Sequence, residues 1–188
     1  MLYLVRHGQS EANVRKRFSG ITDVKLSDVG AKQAIKAGNK LNNKTICKIY
    51  SSPLIRAKNT AEIIAGIIAF DKKDIIIEKS LSEVNFGIFE NMTWEEIEEQ
   101  YKEESQKWIK YKHEYIFPQG EGYEDIIRRV SPFIDSVPSN SLIVTHFGVI
   151  QSILLYLNIV DSRTLWDYEI SNCHILVLKN KKLSKIIK

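Results

Sequence analysis

Cysteines, long apolar runs and linker-like segments are scarce or missing in this chain of 188 residues, and each shortage excludes something. The two cysteines, Cys47 and Cys173, have neither metal-ligand spacing nor a redox motif around them. That excludes a disulfide scaffold and predicts two reduced, buried thiols in a cytosolic protein. The longest apolar run, Ile63 to Phe70, is interrupted by Gly66 and falls far short of the ~20 residues that cross a bilayer, so no membrane span is expected. Met1-Leu2-Tyr3-Leu4-Val5-Arg6 lacks the basic start and the apolar stretch of ~7–15 residues found in secretory leaders, which points to a cytoplasmic location. There is no internal repeat, no low-complexity tract and no linker rich in Pro, Gly or Ser, so residues 1–188 read as a single domain. At this length folding removes roughly 70% of the surface of the extended chain, and stability requires neither a disulfide nor a structural metal.

Charge of one sign is also in short supply. Lys and Arg total 27 against 23 Asp and Glu, a net charge of +4. The surplus is diffuse except at a lysine-rich C-terminus (Lys179, Lys181, Lys182, Lys185, Lys188), and no nucleic-acid motif accompanies it. A solvated basic tail is expected, with no nucleic-acid partner, and the balance suits a small anionic substrate. A content of 44% hydrophobic and 27% charged residues belongs to an ordinary globular chain.

What is present is an alternation of short apolar runs and helical patterns. Strands are expected at Leu2–Val5, Ile46–Tyr50, Ile75–Ile77 and Ser141–Thr145, with a closing hairpin from Ile175–Leu178 and Leu183–Ile187. Ser27 suits the N-cap of a helix to about Leu41, and Ser52-Pro53 the N-cap and first residue of a helix carrying Arg56 and Thr60. Thr93 and Glu96 form a capping box ahead of a charged helix to about Lys112. Further helices are expected from Tyr123 to Ser136 and from Gly148 to Leu157. Residues 11–23 read as a loop, as do Leu81–Glu90, pinned by Gly87. The alternation implies an α/β fold: three layers, α/β/α, around a largely parallel central sheet, with a helical excursion near residues 85–135 over the edge that holds the site. Such sheets bind ligands at the C-terminal ends of their strands, where Arg6-His7 and His146 stand.

Two histidines at the ends of two apolar strands can meet across the sheet although 139 positions separate them. A histidine with a free ring nitrogen can attack phosphorus and split one hard displacement into two easier ones. A phosphoryl group in transit spreads negative charge over its oxygens and needs fixed positive donors, and Arg6, Arg56 and His146 are available. Arg56 has no acid at the facing positions Asn59 and Thr60. No carboxylate-rich or His/Cys cluster offers a metal site, so no metal or other cofactor is expected. His113 and His174 have no motif around them and read as structural.

Leu4-Val5-Arg6-His7-Gly8-Gln9-Ser10-Glu11-Ala12-Asn13 resembles the signature of the histidine phosphatase superfamily, also called phosphoglycerate-mutase-like. The resemblance continues in register through Leu26-Ser27-Asp28-Val29-Gly30, Ser51-Ser52-Pro53-Leu54-Ile55-Arg56-Ala57, Leu81-Ser82-Glu83, Phe86-Gly87 and Val144-Thr145-His146, nearly the whole chain. It implies that His7 becomes phosphohistidine, and that Arg6, Arg56 and His146 surround the phosphoryl oxygens with help from Asn13. It further implies that Glu83 serves as acid for the leaving alcohol and then as base for water. An unperturbed glutamate titrates near ~4.3, so that role requires burial and a bound phosphate dianion to raise it.

Phosphoglycerate mutases are generally longer and follow the acid with Arg-His-Tyr-Gly. Here the stretch is Glu83-Val84-Asn85-Phe86-Gly87, which favours hydrolysis over mutase activity. Gly120-Glu121-Gly122-Tyr123, the Phe18-Ser19-Gly20 turn and Leu165-Trp166-Asp167-Tyr168 resemble the α-ribazole-5′-phosphate phosphatases of cobalamin biosynthesis. The substrate so implied is α-ribazole 5′-phosphate, with Ser19 and Gly20 among the binding residues. Phe147 stands where most of the family has glycine. It either fills the core or lines the pocket beside a flat aromatic leaving group, and the sequence leaves the two open. The alternatives are a broad-specificity or fructose-2,6-bisphosphatase-like sugar phosphatase and, in another class, a phosphate-binding or signalling protein without turnover. Hydrolysis of p-nitrophenyl phosphate separates enzyme from binder. Oligomeric state is not legible in the sequence.

Overall fold

Successive residues of a strand face opposite sides of a sheet, and β1 (Leu2–Arg6) is apolar on both. Leu2 and Leu4 join one apolar cluster, Tyr3 and Val5 another. A strand of this kind has to be covered on both faces. A computed structural model describes residues 1–188 and meets that requirement. Six strands run in the order β3-β2-β4-β1-β5-β6, with β2 at Lys48–Ser51, β3 at Ile75–Ile77, β4 at Ser141–Thr145, β5 at Ile175–Lys179 and β6 at Lys182–Ile187. β3, β2, β4 and β1 are mutually parallel, while β5 and β6 add antiparallel partners beyond β1. The fold is therefore three-layered α/β/α with a largely parallel sheet, as expected.

One face carries α2 (Asp28–Leu41) and α3 (Ile55–Ile67), which meet through Ala34, Ala37, Ala57 and Ala61 and so approach closely. The other face carries α6 (Tyr123–Ser136) and α7 (Phe147–Tyr156) through Ile126, Val130, Ile134, Val149 and Ile153. Between β3 and α6 the chain makes its excursion through α4 (Trp94–Gln100) and α5 (Lys102–Tyr111). That segment is held by rings packed edge-on and tilted: Trp108 lies 4.8 Å from Phe117, 5.1 Å from Phe18 and 5.6 Å from Trp94, centroid to centroid. No helix is long and apolar enough to cross a membrane.

Several local expectations are corrected. Residues 11–23 contain one helical turn, α1 (Glu11–Val14), held by a reciprocal box in which Ser10 Oγ accepts the Asn13 N–H and Asn13 Oδ1 accepts the Ser10 N–H. Four residues are too few to show a period. The strand expected at Ile46–Tyr50 runs two residues later at its start, and Ser52 does not cap the next helix. Ser52 stays extended, giving its N–H to Val144, and α3 begins at Ile55 with Leu54 in the cap position. The helix expected from Thr93 to Lys112 is two, because Tyr101 leaves the helical region (φ −133°, ψ 48°) and its ring packs on Phe89. Cys47 is exposed rather than buried, since it precedes β2 and joins the sheet only through its backbone N–H to Asn140. Cys173 is buried as expected, and burial pushes its thiol up to about 12. The last long helix starts one residue early, at Phe147, with His146 in the cap position.

Candidate active site

The parallel strands β2, β4 and β1 end on one edge and deliver Ser52, His146 and the pair Arg6-His7 to it. The His7 N–H continues the ladder to the Thr145 carbonyl at 2.9 Å, which fixes its backbone. The turn that follows is pressed against the start of α2. A Cβ on Gly8 would stand 2.4 Å from the carbonyl oxygen of Gly30, and the Gly8 N–H is given to Thr60 Oγ1 at 3.0 Å. Gly8→Ala should therefore cost about 2 kcal/mol through overpacking against backbone that cannot yield. Urea unfolding measures it, and an unchanged midpoint would contradict the packing described.

His7 and His146 are buried, with ring centroids 5.1 Å apart. His7 Nδ1 lies 2.7 Å from the Gly8 carbonyl. A carbonyl only accepts, so Nδ1 carries the hydrogen and Nε2 keeps its lone pair. Burial, then the guanidinium groups of Arg56 and Arg6, hold His7 well below the ordinary histidine range, so the ring is neutral. His146 is shifted the same way by burial, Arg56 and His7.

Arg56 is 1% exposed, on the first turn of α3. Its Nη2 donates to the carbonyls of Ser19 (2.9 Å) and Gly20 (2.7 Å) and its Nη1 to that of Thr22 (3.0 Å). Of five guanidinium hydrogens, two are left over. Arg6 donates from Nη1 to Ile170 at 2.8 Å, and its Nε is buried without a partner. Neither guanidinium has a carboxylate within ion-pair distance. Burial of Arg56 and part-burial of Arg6 are offset only at a distance by Glu83, so an anion entering the site improves the balance for both.

Glu83 is 6% exposed on the loop between β3 and α4. Burial raises its carboxyl above the usual range, against the opposing pull of the Val84 N–H at 3.0 Å and of Arg56 and Arg6. The Gly148 N–H reaches its other oxygen at 3.4 Å. Its backbone is held by Arg129, which donates to the Glu83 carbonyl at 3.2 Å and pairs with Glu121 at 3.1 Å. Asn13 lines the same cavity; its Oδ1 is taken by Ser10 and Asn172, which leaves its amide hydrogens without a protein partner.

All of these groups except the fully buried His146, which sits behind His7, line a cavity of about 430 Å³, of the size that holds small ligands. Arg6, His7, Asn13, Ser19, Arg56, Glu83 and Phe147 all line it. Phe147 does not fill the core: it is half-buried, its ring centroid 5.2 Å from the Arg6 guanidinium and 6.2 Å from Trp166. Gly20 is not brought to the wall. Its carbonyl holds Arg56 and its N–H is given to Glu90 at 3.1 Å, so it acts behind the site.

Lys16, Arg17, Trp108 and Phe117, not singled out from the sequence, complete the walls together with Phe86, Trp166 and Tyr123 of the family-like motifs, and Tyr123 lies near Glu83. Glu90 also went unremarked, although its carboxylate collects the N–H groups of Gly20, Ile21 and Thr22 and so shapes the loop that grips Arg56. Trp108 and Phe117 stand in no motif, and only the placement of Glu90 next to Phe86-Gly87 hinted at its use.

Comparison with known proteins agrees with this geometry. The family model described as histidine phosphatase superfamily (branch 1) matches residues 2–186. The chain is similar to putative phosphoserine phosphatase 2 of Hydrogenobacter thermophilus, with 32% identity over 178 residues, 93% of this chain and 86% of that one. It is also similar to 6-phosphofructo-2-kinase/fructose-2,6-bisphosphatase 1 of Mus musculus, with 35% identity over 159 residues, 82% of this chain. It spans about a third of that relative's length, 32%. Among solved structures, the alpha-ribazole phosphatase from Shigella flexneri superposes with a TM-score of 0.82 at 25% identity, covering 97% of this chain and 93% of that one. With the two strand-end histidines, the paired arginines and a match from end to end, the chain belongs to the histidine phosphatase superfamily.

Proposed function

We propose that the protein is a phosphomonoester hydrolase working through a phosphohistidine, with α-ribazole 5′-phosphate as its substrate. The observation that carries the reading is a neutral His7 whose Nε2 lone pair is free, set beside two buried guanidinium groups without carboxylate partners. In the first step Nε2 attacks phosphorus, the N–P bond forms and the ester P–O bond breaks. Glu83 gives its proton to the departing oxygen. In the second step the Glu83 carboxylate takes a proton from water, whose oxygen displaces Nε2 and releases inorganic phosphate. Arg6, Arg56, His146 and Asn13 hold the phosphoryl oxygens throughout. The donors act as fixed charges, and Glu83 carries the one proton that moves, given to the leaving oxygen and regained from water.

Support for an aromatic leaving group comes from the outer cavity, where Phe147 and Trp166 face Phe86, Trp108 and Phe117. Two aromatic walls suit a flat ring such as the dimethylbenzimidazole of α-ribazole. A sugar bisphosphate is the second reading, favoured by Lys16, a cation on the wall with no ion pair. Phosphate release from α-ribazole 5′-phosphate and from fructose 2,6-bisphosphate separates the two. Phe147→Ala should lower kcat/KM about fivefold on the first, the loss of one aromatic contact worth about 1 kcal/mol, and leave the sugar ester nearly unchanged. Equal losses on both esters would remove the aromatic reading.

A further inference from the structure

Ser52 has no part in the chemistry just given, yet it is fully buried against His146. Its Oγ lies 2.7 Å from His146 Nε2 and accepts the Leu54 N–H at 3.3 Å. A serine hydroxyl has one hydrogen and two lone pairs. Leu54 occupies one lone pair, and Oγ has no other partner than His146 Nε2, so the hydroxyl hydrogen is used only if Nε2 accepts it. A ring nitrogen that accepts cannot also carry a hydrogen. In the neutral imidazole the hydrogen is then on Nδ1, and His146 Nδ1 is a buried nitrogen with no partner in the protein. The neutral form is the one that burial and the nearby Arg56 favour.

We propose that Ser52 is a positioning residue: by donating its hydroxyl to His146 Nε2 it holds the ring as the Nδ1–H tautomer, so that His146 offers an incoming phosphoryl oxygen an N–H rather than a lone pair. The contrast with His7 gives the arrangement its meaning. Both rings carry their hydrogen on Nδ1, but His7 gives that hydrogen to the Gly8 carbonyl and keeps a nucleophilic lone pair. His146 has its Nε2 lone pair covered by Ser52 and keeps an unused donor. One carbonyl and one hydroxyl thus assign opposite tasks to two like side chains. Without the hydroxyl, the His146 hydrogen is free to move to Nε2, and the lone pair left on Nδ1 would repel a phosphoryl oxygen.

The inference rests on the phosphatase reading for its consequence, but not for its first measurement. Long-range ¹H–¹⁵N correlation spectra of the ligand-free, labelled chain, assigned through His146→Gln, report which imidazole nitrogen is protonated. The expected result is hydrogen on His146 Nδ1 in the wild type, a shift towards Nε2 in Ser52→Ala, and return to the first pattern in Ser52→Thr. In turnover of a phosphomonoester, Ser52→Ala should lose about tenfold or more in kcat/KM, with Thr recovering most of it, since a single misaligned donor to the reacting charge costs about that much or more. Hydrogen on Nε2 in the wild type overturns the proposal. So does a Ser52→Ala protein whose tautomer is unchanged, whatever its rate, because Ser52 would then serve packing only. Absence of turnover in the wild type would refute the phosphatase reading, while the spectra still decide the place of Ser52.

Discussion

His7→Ala should abolish turnover, by a factor on the order of 10⁵ or more, the scale seen when a covalent nucleophile is removed from a site that keeps its other parts. The fold should survive, because the His7 ring makes a single side-chain hydrogen bond, to the neighbouring carbonyl, while the strand contact is made by its backbone N–H. Wild-type protein mixed with a labelled phosphate ester should carry acid-labile, base-stable label, and the variant none. Full activity in the variant would end the phosphohistidine mechanism. A second, independent signature lies in stability. His7 is depressed in the folded state, so below the unfolded value of about 6.5 the unfolded chain binds a proton that the folded chain does not. Stability contributed by that neutral ring is complete above about pH 6.5 and lost as pH falls towards the depressed folded value, at up to about 1.4 kcal/mol per pH unit. The alanine variant should lose less stability between pH 7 and pH 5 than the wild type.

Glu83→Gln should cost roughly 10³-fold on an alkyl ester such as α-ribazole 5′-phosphate and much less on p-nitrophenyl phosphate. The alkoxide needs a proton as it leaves, whereas p-nitrophenolate departs without one. The pH profile carries the same information. Burial raises the Glu83 carboxyl, so the protonated acid persists to higher pH than for an exposed glutamate, and the rate on the alkyl ester falls as pH rises through that raised value. The glutamine variant should lose this alkaline limb. Its acid limb should lie well below 6.5, because His7 must be protonated to lose its lone pair and is held neutral by burial and two arginines. An equal loss on both esters would remove Glu83 from the acid's role.

The parallel sheet was legible because its strands are apolar on both faces and bounded by Arg6, Ser51 and Thr145, with helix patterns between them. The phosphate end of the site was legible for a related reason: Arg6, His7 and His146 sit at strand ends, where the fold type already places ligands. What stayed hidden was set by distance in the chain. Trp108 and Trp166 line one cavity although 58 positions separate them, and nothing near Trp108 in sequence marks it as different from a core ring. Ser52 looked like a helix cap because Ser-Pro is one in most settings; the requirement of His146, 94 positions away, outweighs the local preference. Tyr101 broke a helix whose charge pattern ran straight through it, since its ring had Phe89 to pack on.

The strand that carries the nucleophile is the first of the six to be synthesised, yet it lies inside the sheet, between β4 and β5. Arg6 pairs with Thr145, and Val5 with both Val144 and Ile175. β1 therefore has no partner until the ribosome has passed residue 145, and its other edge stays open until residue 175, so a nascent chain exposes Leu2, Leu4 and Val5 as an unpaired, apolar strand over most of these residues. Pairings this remote in sequence also place folding towards the slower, millisecond-to-second end for domains of this kind. The two histidines come together when β1 docks on β4. A chain halted before β5 would hold all the reactive side chains from His7 to His146 and still lack the strand that closes the far side of β1, so chaperone demand outlasts the assembly of the reactive pair.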